Sequence, residues 1–234
     1  MRAIFNGLTI RYRITLAIMP DMSKQHTHPT VQGNALVVLI VLIAAVAAGL
    51  MVSRTLLDQS LDLRAASVFP TPRMLNDFEI ETADGEPFTQ EALKGQWTLM
   101  FFGFTNCPDI CPDTLASLAQ SMDSLRLMKQ DTLPQVVFVS VDPERDQGDL
   151  LADYVAWFDE SFLAVTGDDP ALEQLTRQLG VIYVRDEADP NTGFYNVDHS
   201  AAVMIIDPEG RLFGRFGHPL NPEAVTADLF QITS

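Results

Sequence analysis

Trp97-Thr98-Leu99-Met100-Phe101-Phe102-Gly103-Phe104 is a continuous apolar run, too short for an ordinary helix and bounded by glycine, which is the pattern of a strand buried on both faces. A strand of that kind must be covered on either side, which restricts the chain to a layered α/β arrangement. The following sequence agrees. Leu115, Leu118, Ala119, Met122, Leu125 and Met128 recur at helical spacing, and Gln135 to Val141 is a β-branched run. Strand, helix and strand in that order predict a right-handed parallel crossover.

Upstream, Asp77 to Thr82, the turn Ala83-Asp84-Gly85 and Glu86 to Phe88 read as a hairpin. Downstream, the pattern predicts a helix over Leu150–Phe158, a strand over Phe162–Thr166, and a helix opened by Pro170 and closed by Gly180. A short strand over Val181–Val184 follows. Ala201–Ile206, the turn Asp207-Pro208-Glu209-Gly210 and Arg211–Phe216 form a second hairpin, before a final helix over Pro222–Phe230. The expected domain, residues 74–234, is a mixed central sheet with flanking helices.

Ahead of it, Ala35–Val52 is an unbroken apolar run that would reach about 27 Å as a helix, close to the thickness of a bilayer core. The hydrophobic part of a cleaved signal peptide is shorter, about 7–15 residues, so residues 35–53 read as a transmembrane anchor. Arg2, Arg11, Arg13 and Lys24 precede the run with only Asp21 opposing them, which predicts residues 1–34 in the cytoplasm and the domain on the periplasmic side. Residues 54–73, without sustained periodicity and ending in Pro70-Thr71-Pro72, read as a tether. The chain has 31 acidic against 15 basic residues and a net charge of −16, so nucleic acid is not expected as a partner.

The chain contains 2 cysteines, and both stand in Thr105-Asn106-Cys107-Pro108-Asp109-Ile110-Cys111-Pro112, between the buried strand and the helix. Unpaired backbone N–H groups and the positive end of the helix dipole favour a thiolate there, and the thiolate is both nucleophile and metal ligand. Four residues apart on one turn, the two sulfurs face the same side. A soft metal or a disulfide could bridge them. The alternative, two buried cysteines acting as small hydrophobes, does not explain why they cluster with prolines at a strand-to-helix turn. Zinc would ask for four protein ligands, or three and a water, whereas Cu(I) accepts fewer and is selected by soft thiolates.

A third ligand must come from His26, His28, His199 or His218. His26 and His28 precede the apolar run and belong across the membrane from the cysteines, and His218 reads as a loop histidine. His199, in Asn196-Val197-Asp198-His199-Ser200, directly precedes the strand beginning at Ala201. In thioredoxin-like topology this segment faces the cysteine turn, and redox members of that fold usually carry a cis-proline here. A histidine in that place turns a thiol-exchange surface into a possible site of two sulfurs and one nitrogen. Asp198 is a candidate to support it, although an acidic residue at a strand entrance is as often merely solvated.

Three segments together give the chain a resemblance to the Sco/SenC copper-binding proteins, which help assemble the binuclear copper centre of cytochrome c oxidase. They are Phe104 to Pro112, Ser140-Val141-Asp142-Pro143-Glu144-Arg145-Asp146, and Tyr195 to Ser200. The resemblance implies a thioredoxin-like fold with an added hairpin, an N-terminal membrane anchor, and copper held by Cys107, Cys111 and His199. It also implies two partners, the copper-bearing oxidase subunit and other copper chaperones. Asp142 and Glu144 read as a turn and helix cap, and only secondarily as a partner-facing surface.

Two functions are consistent with these residues. In a metallochaperone, one copper ion, as Cu(I) and in some states Cu(II), is bound and passed on by ligand exchange. In a thiol-disulfide oxidoreductase, Cys107 attacks a partner disulfide and Cys111 resolves the mixed disulfide. A peroxidase is disfavoured because a separate resolving cysteine and a nearby motif arginine are lacking.

Overall fold

The computed structural model describes residues 35–57, 62–128 and 132–233. The N-terminal segment 1–34, with His26 and His28, lies outside the described residues. The chain divides into two units, Met1–Gln59 and Ser60–Ser234. The first contains helix α1, Ala35–Leu57, of 23 residues. Side chains are described for residues 37–51 of this helix, and they are exposed throughout. Among the described residues no helix is long and apolar enough to cross a membrane.

The second unit is built on an eight-stranded mixed sheet. Its strands are β1 (Ala66–Met74), β2 (Glu79–Thr82), β3 (Pro87–Thr89), β4 (Thr98–Gly103), β5 (Gln135–Ser140) and β6 (Leu163–Thr166), joined after a separate β7–β8 pair by β9 (Val203–Ile206) and β10 (Arg211–Phe216). Their order across the sheet is β1-β10-β9-β4-β5-β6-β2-β3. β4 and β5 run parallel, as do β5 and β6, while β9 pairs antiparallel with β4. The apolar run that opens the sequence reading is thus the middle of the sheet, and every residue of β4 is buried. A strand with neighbours on both sides and layers on both faces has no position for a solvated side chain, which is why the run does not alternate.

Four helices flank the sheet: α2 (Ile110–Leu127), α3 (Gly148–Ala156), α4 (Asp169–Leu179) and α5 (Pro222–Ile232). α2 buries Leu115, Leu118, Met122 and Leu125 and packs against α5, where the Ser121 hydroxyl donates to the Pro222 carbonyl at 3.2 Å. Ala119 is half-buried and Met128, at the helix end, is exposed. α4 has the expected ends: Asp168 accepts from the Ala171 amide, and Gly180 leaves the helix at φ 72°, a left-handed conformation that costs glycine little.

Two segments differ from the sequence reading. Residues 66–73, assigned to the tether, lie in β1, which pairs antiparallel with β10 at the sheet edge. Pro70 and Pro72 sit where the register of that pairing shifts, between Val68 and Arg73. An edge strand tolerates proline because one side of its backbone needs no ladder partner, and so β1 lacks the compositional signature of a strand. In addition, the segment before β9 is not a simple lead-in. β7 (Tyr183–Arg185) and β8 (Val197–His199) form a separate two-stranded sheet, in which Tyr183 stands opposite His199, and β9 begins at Val203 rather than Ala201.

Candidate metal centre

Cys107 lies in the turn after β4, and Cys111 is the second residue of α2. Asp109, at the cap position, makes no side-chain capping bond. Instead the Cys111 amide donates to Cys107 Sγ at 3.4 Å, so a sulfur takes one of the N–H groups a helix start leaves unpaired. Cys111 is fully buried, and Cys107, 9% exposed, stands at the mouth. The Cys111 sulfur rests on the last residue of β4: a Cβ on Gly103 would lie 2.6 Å from Cys111 Sγ and 2.8 Å from the Phe138 ring. Only glycine leaves room for the sulfur there.

The two thiols differ electrostatically. The hydrogen bond with Cys111 holds the Cys107 thiol well below the usual thiol range, against the opposing effect of burial and with help from His199 and the amides of Asp109 and Cys111. Cys111 moves the other way, because it is the proton-bearing partner of that bond and is more deeply buried. One proton is therefore shared, and Cys107 ionises first.

His199, at the end of β8, is half-buried, and its Nε2 lies 3.4 Å from Cys111 Sγ. Its Nδ1 is 3.2 Å from the Ser200 carbonyl. A carbonyl can only accept, so Nδ1 keeps a hydrogen whatever the charge of the ring, and in the neutral imidazole it is the Nε2 lone pair that faces the sulfurs. Edge contacts with Phe101 and Phe104, at centroid distances of 6.1 and 6.0 Å, hold the ring. Asp198 is exposed at the rim of the cleft and accepts from Asn196 at 3.4 Å, not from the imidazole, whose Nδ1 is taken by the Ser200 carbonyl. The Ser200 carbonyl therefore has the supporting part considered for Asp198.

The ligand atoms of Cys107, Cys111 and His199 all lie within 4.8 Å of one another. Two sulfurs and an imidazole with phenylalanine walls fit a soft, low-coordinate ion better than a hard one that seeks oxygen ligands. A cleft of about 420 Å³ opens onto them, bounded by Phe104, Pro108, Ile110 and Asp198. A larger cleft of about 590 Å³ beside α4 and β7 is lined by residues such as Glu173, Arg177 and Tyr183 and has no thiol or histidine. The chemistry belongs to the smaller one. His218 is not part of the cluster.

Two buried carboxylates lie behind the site: Asp142, which the sequence places in a turn and helix cap, and Asp146, to which the sequence assigns no separate role. Asp146 accepts from the Thr105 amide at 2.7 Å, the Thr105 hydroxyl at 2.5 Å and the Ser140 hydroxyl at 2.7 Å, and burial still pushes it above the usual carboxylate range. Asp142 accepts from the Tyr195 hydroxyl at 2.6 Å and is ion-paired with Arg145. Burial and that bond push the Tyr195 phenol up to about 12. Glu144 is exposed, with Arg185 3.9 Å away. The sequence signal was the segment from Ser140 to Asp146, where three carboxylates follow a buried strand, a pattern that also suits a solvated turn.

A thioredoxin-like α/β fold with two cysteines at a strand-to-helix turn and a histidine facing them defines a class of thiol- and metal-handling proteins. The pattern of the SCO1/SenC family matches residues 69–234, and the chain belongs to that family. It is 36% identical over 152 residues to an SCO2-like protein of Rickettsia felis, covering 64% of this chain and 72% of that one. Among solved structures it is similar to Arabidopsis thaliana ScoI with copper bound, at 32% identity and a TM-score of 0.62, covering 68% of this chain and 96% of that one. Yeast Sco1 with copper bound is similar at 30% identity and a TM-score of 0.63, covering 68% and 88%.

Proposed function

We propose that this chain binds one copper ion through Cys107, Cys111 and His199 and acts as a copper chaperone in assembly of the binuclear copper centre of cytochrome c oxidase. The observation that carries this reading is the convergence of two sulfurs and the free face of a histidine within 4.8 Å. Copper bound in the related Arabidopsis and yeast structures supports the choice of ion. Copper is cargo here: two soft sulfurs hold Cu(I), and a half-exposed third ligand can be exchanged for one from the acceptor. Phe104 and Phe101 fix the imidazole, the Ser200 carbonyl fixes its tautomer, and the helix start holds Cys107 as the thiolate. The partners proposed are the copper-bearing oxidase subunit as acceptor and another copper chaperone as donor. Residues 35–53 anchor the chain in a membrane with the domain on the periplasmic side, a reading supported by the apolar run and the basic residues before it. Labelling Cys107 and Cys111 in intact spheroplasts with a membrane-impermeant thiol reagent, after reduction and copper removal, tests that orientation. Protection of both would reverse it.

The lowered Cys107 thiol above a protonated Cys111 favours a second activity, thiol-disulfide exchange. The Cys107 thiolate attacks a partner disulfide and expels one partner sulfur as thiolate. Cys111 then gives up its proton and attacks Cys107, releasing the second partner thiol, so two electrons pass to the partner and leave a Cys107–Cys111 disulfide. His199→Ala separates the readings. It should stay folded and still form the disulfide, yet lose high-affinity copper and fail to restore oxidase activity in a deletion strain. Full rescue without copper binding would sink the chaperone reading.

A further inference from the structure

The segment from Ser140 to Asp146 makes no hydrogen bond or ion pair with the sulfurs or the imidazole, yet it is bonded to both segments that carry them. Asp146, fully buried, takes the amide and hydroxyl of Thr105, two residues before Cys107. Asp142, also fully buried, takes the hydroxyl of Tyr195, four residues before His199. Ser140 joins the two: its hydroxyl donates to Asp146 at 2.7 Å and accepts from the Asp142 amide at 3.1 Å. Arg145, between the carboxylates, pairs with Asp142, donates to the Tyr195 carbonyl at 3.0 Å and lies 3.6 Å above the Tyr195 ring. The same guanidinium is 5.7 Å from the ring of Phe104, which in turn packs on His199.

β8 belongs to a sheet of its own with β7, so no ladder of the main sheet sets where His199 stands relative to the cysteines. The hydrogen bonds that Tyr195 donates to Asp142 and accepts from Arg145 are available to supply that registration. We propose that residues 142–146 are a bracket that fixes the separation of His199 from the thiol pair, with Tyr195 positioning the histidine strand and Thr105 positioning the cysteine turn. Two buried carboxylates in one short turn are costly unless each is fully hydrogen-bonded, and here their partners come from two different ligand-bearing segments. The inference rests on reading the three side chains as a copper site.

The test compares the full chain with its Tyr195→Phe and Thr105→Val variants. Tyr195→Phe keeps the ring under Arg145 and removes only the hydroxyl. It should weaken copper binding about 10–100-fold in chelator competition, the range for removing a support behind a ligand. It should also diminish the histidine nitrogen signature in the electron paramagnetic resonance of the Cu(II) form. In the copper-free protein, amide exchange should quicken at 183–185 and 197–199 and stay unchanged at 98–103. Thr105→Val should change the Cys107 alkylation rate and leave exchange at 197–199 alone. Wild-type exchange and nitrogen signature in Tyr195→Phe would overturn the bracket, and so would equal loosening of 98–103, which would mean general destabilisation. If the wild-type chain itself bound no copper, the copper reading would fall, while the copper-free exchange and alkylation measurements would still decide whether the bracket exists.

Discussion

At the scale of single residues, Gly103 and the cysteine pair give the sharpest expectations. Gly103→Ala puts a carbon 2.6 Å from Cys111 Sγ, so the sulfur or the Phe138 ring must move. The expected cost is about 1–3 kcal/mol in denaturant unfolding, together with a shifted Cys107–Cys111 reduction potential. Because Cys107 is held below the usual thiol range and Cys111 above it, alkylation of the reduced pair should occur at Cys107. Its rate should have its inflection well below the ordinary thiol value of about 8.5. A rate that rises only through pH 8–9 would contradict the assignment. Cys107, Cys111 and His199 were legible in the sequence because their chemistry depends on residue type and on their places at a helix start and before a strand. Gly103, Thr105 and Tyr195 were not singled out, since their roles depend on what lies against them. The burial of Asp142, read as part of a turn and cap, and of Asp146 was hidden for a related reason: a carboxylate is ordinarily solvated, and nothing local reveals that its partners stand 53 and 41 residues away.

At the scale of elements, the helices were recovered through their periodicity and end residues, and the central strands through uninterrupted apolar runs. β8 was not. Val197-Asp198-His199 is too short for alternation to register, and its pairing with β7 crosses a long excursion. A polar contact between the end of α2 and the segment after α3 can be tested by pH. Arg126, near the end of α2, reaches Asp159, just after α3, at 2.7 Å. Burial raises the Asp159 carboxyl, but bonds from Arg126 and Ser161 outweigh it and leave it below the usual range. A depressed folded pKa gives stability that is present above the unfolded value and lost as pH falls through the folded one. Asp159→Asn should therefore be less stable than wild type by about 0.5–1 kcal/mol at neutral pH, with the gap closing in acid. A gap that persists at pH 2 would assign the effect to packing.

At the scale of the whole second unit, its N-terminal and C-terminal parts are tied together at Asp228 as well as through the pairing of β1 with β10. Asp228 of α5, fully buried, accepts from the amides of Arg64, Ala65 and Ala66 at 2.8, 2.7 and 2.7 Å, where the chain enters β1. Asp228→Ala leaves three amides without that acceptor and should cost about 2 kcal/mol or more, with faster amide exchange over 64–66. Unchanged exchange there would mean that water replaces the carboxylate without loss. β1 itself is the outermost strand, and its two prolines have a consequence for how copies of this chain meet. An exposed edge is a template on which another chain can extend the sheet, and proline withholds the amide that such an extension would use. Pro70 and Pro72 thus act against fibrous self-association at the side of the sheet where β1 lies.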